Sequence, residues 1–294
     1  MLYQIISDSS CDLPMDYAKE NNLEIIPFYV SFDGENYYKE GIEVEHEEFY
    51  HRMITDHVYP KSSLPSIDDY LKVFKKYAAE NIPVICICIT TKFSGSYQSA
   101  ITAKEILTET CPDARITVID SNINTVLQGI YVREAVRMLK DGISYEAAIE
   151  HLERIKSTGR ILFTIGSMDY LKKGGRIGKL LTLAGDTLGI KPLIILKEGE
   201  IYPAGITRSR KKAKVKLLEL AKEHFLKVKE NPEDYEIVVG TGIDMEEAEE
   251  FKRDLEKALG REIPLPVARI GVTIGTHTGP HPIGLGLIKK YDIN

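Results

Sequence analysis

The 294-residue sequence lacks any apolar run long enough to cross a membrane. Its longest clean stretch, Val84 to Ile89, falls far short of the roughly 18 residues a spanning helix needs. The first residues, Met1 to Asp8, show no basic segment followed by an apolar one, so no signal peptide is expected and a cytoplasmic location is. An excess of basic charge is also missing: 38 Lys and Arg stand against 44 Asp and Glu, a formal net charge of −6. That argues against a nucleic-acid partner, and any anion site must therefore be local. Cysteine is sparse, and Cys11, Cys86, Cys88 and Cys111 show no C-x-x-C spacing. All four are expected to be reduced packing residues; Cys86 and Cys88 would share one strand face, but no third soft ligand lies nearby.

Several chemical signatures are absent too. Neither G-x-x-x-x-G-K-[ST] nor G-x-G-x-x-G occurs, and the residue five before Gly178 is Lys173, so nucleotide binding has no sequence support. Position 92 is Lys rather than the Gly of a nucleophile elbow around Ser94, which argues against a hydrolase. His277 and His281 lie among Gly275, Gly279, Pro280 and Pro282 and cannot share a helix face, so no metal site is expected.

With 43% hydrophobic and 28% charged residues, the chain has the composition of an ordinary globular protein, and its length suggests two domains. The first half alternates β-branched runs with helical patterns, the mark of βαβ units and a parallel sheet. Strands are expected at Tyr3 to Ser7, Ile25 to Ser31, Val84 to Thr90 and Ile116 to Asp120. Helices are expected at Glu45 to Ile54, after Ser66 with its capping-box partner Asp69, around Gln128 to Lys140 and at Tyr145 to Lys156. The pattern changes near Gly159, suggesting domains of residues 1–158 and 159–294, the second less regular and of α+β type. There, strands are expected at Ile161 to Ile165, Leu193 to Leu196, Glu236 to Thr241 and Val267 to Ile274. Helices are expected at Lys211 to Val228 and after Asp244, with Glu247 at the box position. Gly185, Gly189 and Pro192 should keep the Lys172–Gly189 stretch from forming one helix.

Ligands in an open parallel sheet bind beyond the carboxyl ends of the strands. Hydroxyl groups cluster at three of those ends: Ser7-Asp8-Ser9-Ser10, Thr90 to Ser96, and Asp120-Ser121. Converging on helix N-termini they could cradle a carboxylate or phosphate, although each Ser could equally be a helix cap. Lys61-Ser62-Ser63-Leu64-Pro65-Ser66 could reach the same edge. The basic stretches Lys172 to Lys179 and Arg208 to Lys212 could meet an anion or an acidic partner, or could be solvated faces.

Taken in order, these motifs resemble the DegV family of bacterial fatty-acid-binding proteins. Ile6-Ser7-Asp8-Ser9-Ser10 is similar to its Asp-Ser start, Lys61 to Ser66 to its Lys-Thr-Ser-Gln-Pro-Ser segment, and Phe93-Ser94-Gly95-Ser96-Tyr97 to its Leu-Ser-Gly-Thr-Tyr segment. Tyr170 to Ile177, Ile190-Lys191-Pro192, Thr207 to Ala213 and His277-Thr278-Gly279-Pro280 match as well, so the likeness runs almost end to end.

The resemblance implies an N-terminal three-layer α/β/α domain with a parallel sheet, a C-terminal α+β domain with a mixed sheet, and a ligand between them. It implies one buried long-chain fatty acid such as hexadecanoate, its carboxylate held by Ser62 and Ser94. Arg176, Arg208 and His277 would lie near that carboxylate or face a partner. The partner implied is a fatty acid kinase catalytic subunit that converts the bound acid to acyl phosphate for lipid synthesis. The protein would then be a carrier without catalytic residues, metal or cofactor, passing close to a membrane without spanning it. Alternatives are a phosphotransferase related to dihydroxyacetone kinases, or a regulatory lipid sensor. The sequence departs from the family pattern at Leu64, His281 and Pro282, and the latter two could reshape the cavity wall.

Overall fold

The computed structural model describes residues 2–183 and 189–293. Strands β1 (Gln4–Asp8), β2 (Glu24–Ile26), β6 (Val84–Cys88) and β7 (Ile116–Asp120) form a parallel sheet in the order β2-β1-β6-β7. Short strands β3 (Tyr29–Ser31), β4 (Tyr38–Lys39) and β5 (Lys61–Ser63) make a small antiparallel sheet. A mixed six-stranded sheet follows, built from β8 (Arg160–Thr164), β9 (Lys191–Lys197), β10 (Glu200–Thr207), β11 (Tyr235–Thr241), β12 (Ala268–Arg269) and β13 (Ile283–Lys289). Its order is β10-β9-β8-β13-β11-β12.

Alternation of side chains along each strand assigns the layers. In β6, Val84, Cys86 and Cys88 pack with Tyr70 and Phe74 of α3 (Ile67–Ala79) and with Ala100, Ala103 and Leu107 of α4 (Ser96–Thr110). Ile85 and Ile87 point the other way, toward α5 (Thr125–Lys140). This helix is buried nearly all round because it lies between the two sheets, with α6 (Tyr145–Lys156) beside it. The far face of the mixed sheet is covered by α8 (Arg210–Val228) and α9 (Met245–Leu259), through Leu162, Ile237, Val239 and Leu285. Helices α1 (Met15–Glu20), α2 (His46–Thr55), α7 (Asp169–Lys173) and α10 (Val272–Thr278) complete the chain. The fold is thus α/β with a parallel-sheet and a mixed-sheet domain. No helix among the described residues is long and apolar enough to cross a membrane.

Glycine on the mixed sheet makes room for α5. Gly240 of β11 and Gly284 of β13 face each other in register, and Gly286 follows two residues on. A Cβ at Gly286 would come within 3.2 Å of the Leu127 side chain, and one at Gly240 within 3.0 Å of Val126. Substitution there would drive helix and sheet apart.

Several sequence expectations need correction. Ile25 to Ser31 is not one strand: Pro27 has no N–H for a ladder, and the Phe28 N–H donates to Ser9 Oγ at 2.9 Å. The two halves, β2 and β3, go to different sheets. Nor is Val267 to Ile274 a strand beyond Ala268–Arg269, since α10 begins at Val272. Its start is captured by Glu40, which accepts from Thr273 N at 3.0 Å and Thr273 Oγ1 at 2.7 Å. Strands β10 and β13 are not among the expected elements; β10 accommodates Pro203 as an edge strand, and β13 carries the alternating Gly284 and Gly286. The capping box at Ser66 and Asp69 forms, but Asp244 makes no cap bond and pairs with Arg210 at 2.7 Å instead. Cys11, Cys86 and Cys88 are buried, with the last two sulfurs 3.9 Å apart; Cys111 is exposed at the end of α4 and is not a packing residue. Lys172 to Gly189 is interrupted as expected, although Gly185 lies outside the described residues.

Candidate functional site

A cavity of about 210 Å³ lies between the sheets. Its walls are mostly apolar: Ile161 and Phe163 from β8, Leu196 from β9, Ile201 from β10, Ile274 from α10, and Ile89, Phe93 and Val126 from the first half. Gly240 and Gly284 of the mixed sheet also line it.

Polar groups gather at one place on this wall. Ser62 and Ser63 arrive on β5, Ser94 on the loop before α4, and His277 and Thr278 on the last turn of α10. Ser62 Oγ and His277 Nε2 are 2.9 Å apart. Arg176 reaches from the segment after α7, donating from Nε and Nη2 to Phe93 O at 3.2 and 3.1 Å and from Nη1 to Gly174 O at 2.7 Å. Gly174 packs against the His277 ring, so contacts run unbroken from Ser62 through His277, Gly174 and Arg176 to Phe93 and Ser94.

The electrostatics favour a neutral imidazole. Burial, with the Arg176 charge nearby, pushes the His277 pKa down to about 4. His277 Nδ1 has no hydrogen-bond partner among the described residues, and neither has the buried Asn124 Oδ1 on the same cavity wall. With Nε2 protonated, His277 donates to Ser62 Oγ and leaves the Ser62 proton free for a guest. Ser62, Ser94 and one edge of a guanidinium therefore present donors, with no carboxylate among the described residues lining the cavity. Such a set suits a carboxylate attached to an apolar body.

The structure brings Ser62, Ser94, Arg176 and His277 together and leaves Arg208 outside. Arg208 lies on a surface groove with Thr207, Ser209 and Lys211. Lys179 pairs with Glu200, and Lys173 covers the ring of Tyr59, so the basic stretch does not act as one anion loop. Leu64 and Pro282 line the cavity, whereas His281 faces away and pairs with Asp244 at 3.1 Å.

The three hydroxyl clusters do not converge on a guest. Ser10 Oγ and Ser96 Oγ donate to Asp8, at 2.5 and 2.7 Å, and Ser9 Oγ donates to Glu40 at 2.5 Å. Asp120 accepts from Thr91 Oγ1 at 2.6 Å. The buried acids Asp8 and Glu40, the half-buried Asp120 and backbone carbonyls take up these hydroxyls, leaving Ser94 as the member of the clusters that reaches the cavity. The apolar wall from β8, β9 and β10 was not picked out in the sequence. Alternation of Ile161 and Phe163 with Leu162 was the available signal, but it does not say which face meets a cavity.

Residues 3–290 match the family model described as "Uncharacterised protein, DegV family". A DegV domain-containing protein of Clostridium perfringens is 30% identical over 292 residues, covering 99% of this chain and all of the relative. Among solved structures, a stearic-acid-binding protein from Eubacterium ventriosum is 46% identical with a TM-score of 0.94, covering 99% of both chains. A fatty-acid-binding DegV family protein from Thermus thermophilus is 27% identical with a TM-score of 0.88, covering 98% of this chain and 100% of the other.

Proposed function

The chain belongs to the DegV family, and from that premise we propose that it binds one long-chain fatty acid and presents its carboxylate to a fatty acid kinase subunit. The observation that carries this reading is the meeting of Ser62, Ser94, Arg176 and His277 on the wall of an otherwise apolar cavity. The stearic-acid-binding relative, with its close overall fold, supports the same ligand class.

Tail and head divide the work. At about 0.8 kcal/mol per buried CH₂, some fourteen methylenes contribute roughly 11 kcal/mol, against an association cost of at least about 4 kcal/mol. The head group must give up water to enter, so most of its hydrogen bonding to Ser62 and Ser94 offsets desolvation, and the remainder supplies orientation and the choice of an acid over an uncharged head. In this reading Arg176, exposed at the cavity's edge, adds positive charge where the carboxylate meets solvent. A carboxylate held there is available to a phosphoryl donor on another protein. The chain itself acts as a carrier, with no catalytic residue, metal or cofactor of its own.

Mass spectrometry of the denatured protein tests the ligand: a long-chain fatty acid should be released, and a chain that takes up none after incubation with such acids overturns the proposal. Adding ATP and a fatty acid kinase subunit tests the partner. Acyl phosphate formed only with both proteins present supports presentation, and formation by the chain alone would make it an enzyme.

A further inference from the structure

Ser94 sits in a loop, residues 89–95, that belongs to no strand or helix. Hydrogen bonds weaken steeply with misalignment, so a head group held through this loop needs the loop itself held. Both of its ends are tied to one atom. Asp8 Oδ2 accepts from the Ile89 N–H at 2.9 Å and from Ser96 Oγ at 2.7 Å. The Ser96 N–H then donates to Ser94 Oγ at 3.2 Å. On its other side, Asp8 Oδ1 accepts from Ser10 Oγ at 2.5 Å and Gln128 Nε2 at 2.9 Å. Asp8 is fully buried and does not line the cavity.

We propose that Asp8 is a positioning residue for the head-group site: without touching the ligand, it clamps both ends of the 89–95 loop and so sets where the Ser94 hydroxyl points. The inference rests on the fatty-acid reading above and assigns a task to a carboxylate that reading leaves unused. Four donors, two per oxygen, define the acid's orientation. An amide in its place would set an NH₂ against donors whichever way it turned, so Asp8→Asn keeps the volume and breaks the clamp. Phe93 O, which holds Arg176, lies in the same loop, so the guanidinium is aimed by the same clamp.

Two ligands with the same tail separate aiming from general support. Octadecanoic acid needs the head-group geometry; octadecan-1-ol buries the same chain with no carboxylate. The wild-type chain should prefer the acid, by about tenfold or more. Asp8→Asn and Ser96→Ala should keep the alcohol affinity within about twofold while losing about fivefold or more of that preference. In a Ser94→Ala background, Asp8→Asn should cost clearly less acid preference than it does alone, because the part of its effect that runs through the Ser94 hydroxyl is already gone. Variants that lose acid and alcohol alike, or that keep the wild-type preference, overturn the inference. If Asp8→Asn does not fold, Ser96→Ala decides by the same criteria. A wild-type chain indifferent between acid and alcohol would instead strike at the head-group reading.

Discussion

Ser62 and His277 are 215 positions apart in sequence and 2.9 Å apart in space. One lies on a short antiparallel strand of the first half, the other on the last turn of α10, and their contact joins the two halves at the polar end of the cavity. Ser62 cannot be aimed independently of α10, whose start is held by Glu40 through Thr273.

Removing a head-group hydroxyl should separate presentation from capture. Ser94→Ala is expected to lower acyl phosphate formed with a kinase subunit and ATP more than it lowers the fatty acid carried per chain, because the tail supplies most of the affinity. Lipid content by mass spectrometry beside acyl phosphate yield measures both; equal losses would contradict that division.

His277 should make the fold acid-sensitive. Its pKa of about 4 lies below the ordinary histidine value, so between those limits the unfolded chain binds more protons and stability falls as pH drops. The contribution is complete above about pH 6.5 and is lost on the way down to about pH 4, up to about 3 kcal/mol at roughly 1.4 kcal/mol per unit. His277→Gln should flatten that part of the profile. Urea unfolding at pH 7 and pH 5, taken as the difference between wild type and variant, isolates it from the half-buried histidines His46 and His224, whose pKa values burial also lowers.

Filling the tail end should shorten the preferred acid. Ile161→Phe adds volume on the face of β8 that lines the cavity, opposite Leu162, which packs beneath α8 and α9. Excluding two or three methylenes costs about 2 kcal/mol, so octadecanoic acid should bind roughly thirtyfold more weakly while decanoic acid is little changed. Parallel titrations of the two acids check this, and equal weakening would place Ile161 away from the tail.

Gly279 ends α10 at φ +74°, where side chains are strained, and a Cβ there would sit 2.5 Å from the Tyr170 ring. Gly279→Ala is therefore expected to destabilise the fold by about 2 kcal/mol or more and to weaken acid binding by shifting His277. Denaturant melts and binding measured below the transition test both parts; a variant as stable as wild type would show that Tyr170 yields freely.

The readable parts of the fold were those governed by short-range periodicity. Alternation and β-branching marked β1, β6, β7, β8 and β11, and Ser66 with Asp69 marked the start of α3. Failures came where a distant partner overrode the local signal. Glu40 holds the start of the helix Val272 to Thr278 through Thr273, 233 positions away, and α5 packs Leu127 against Gly286 of the glycine-rich β13. Ser62 and Ser94 were legible through motif order rather than chemistry, since nothing local distinguishes a cavity-facing serine from one bonded to a buried acid.

Composition and short-range pattern were enough for the α/β class, the position of most strands and helices, and the lack of a long apolar run or a Walker-type glycine motif, because these follow from contacts within a few residues of each position. Which hydroxyls Asp8 and Glu40 claim, which face the cavity, and the separation of Arg208 from Arg176 follow from packing in three dimensions. Those outcomes depend on contacts between positions up to 233 apart, and a buried carboxylate takes the donors that the packing of two sheets against one helix brings within reach.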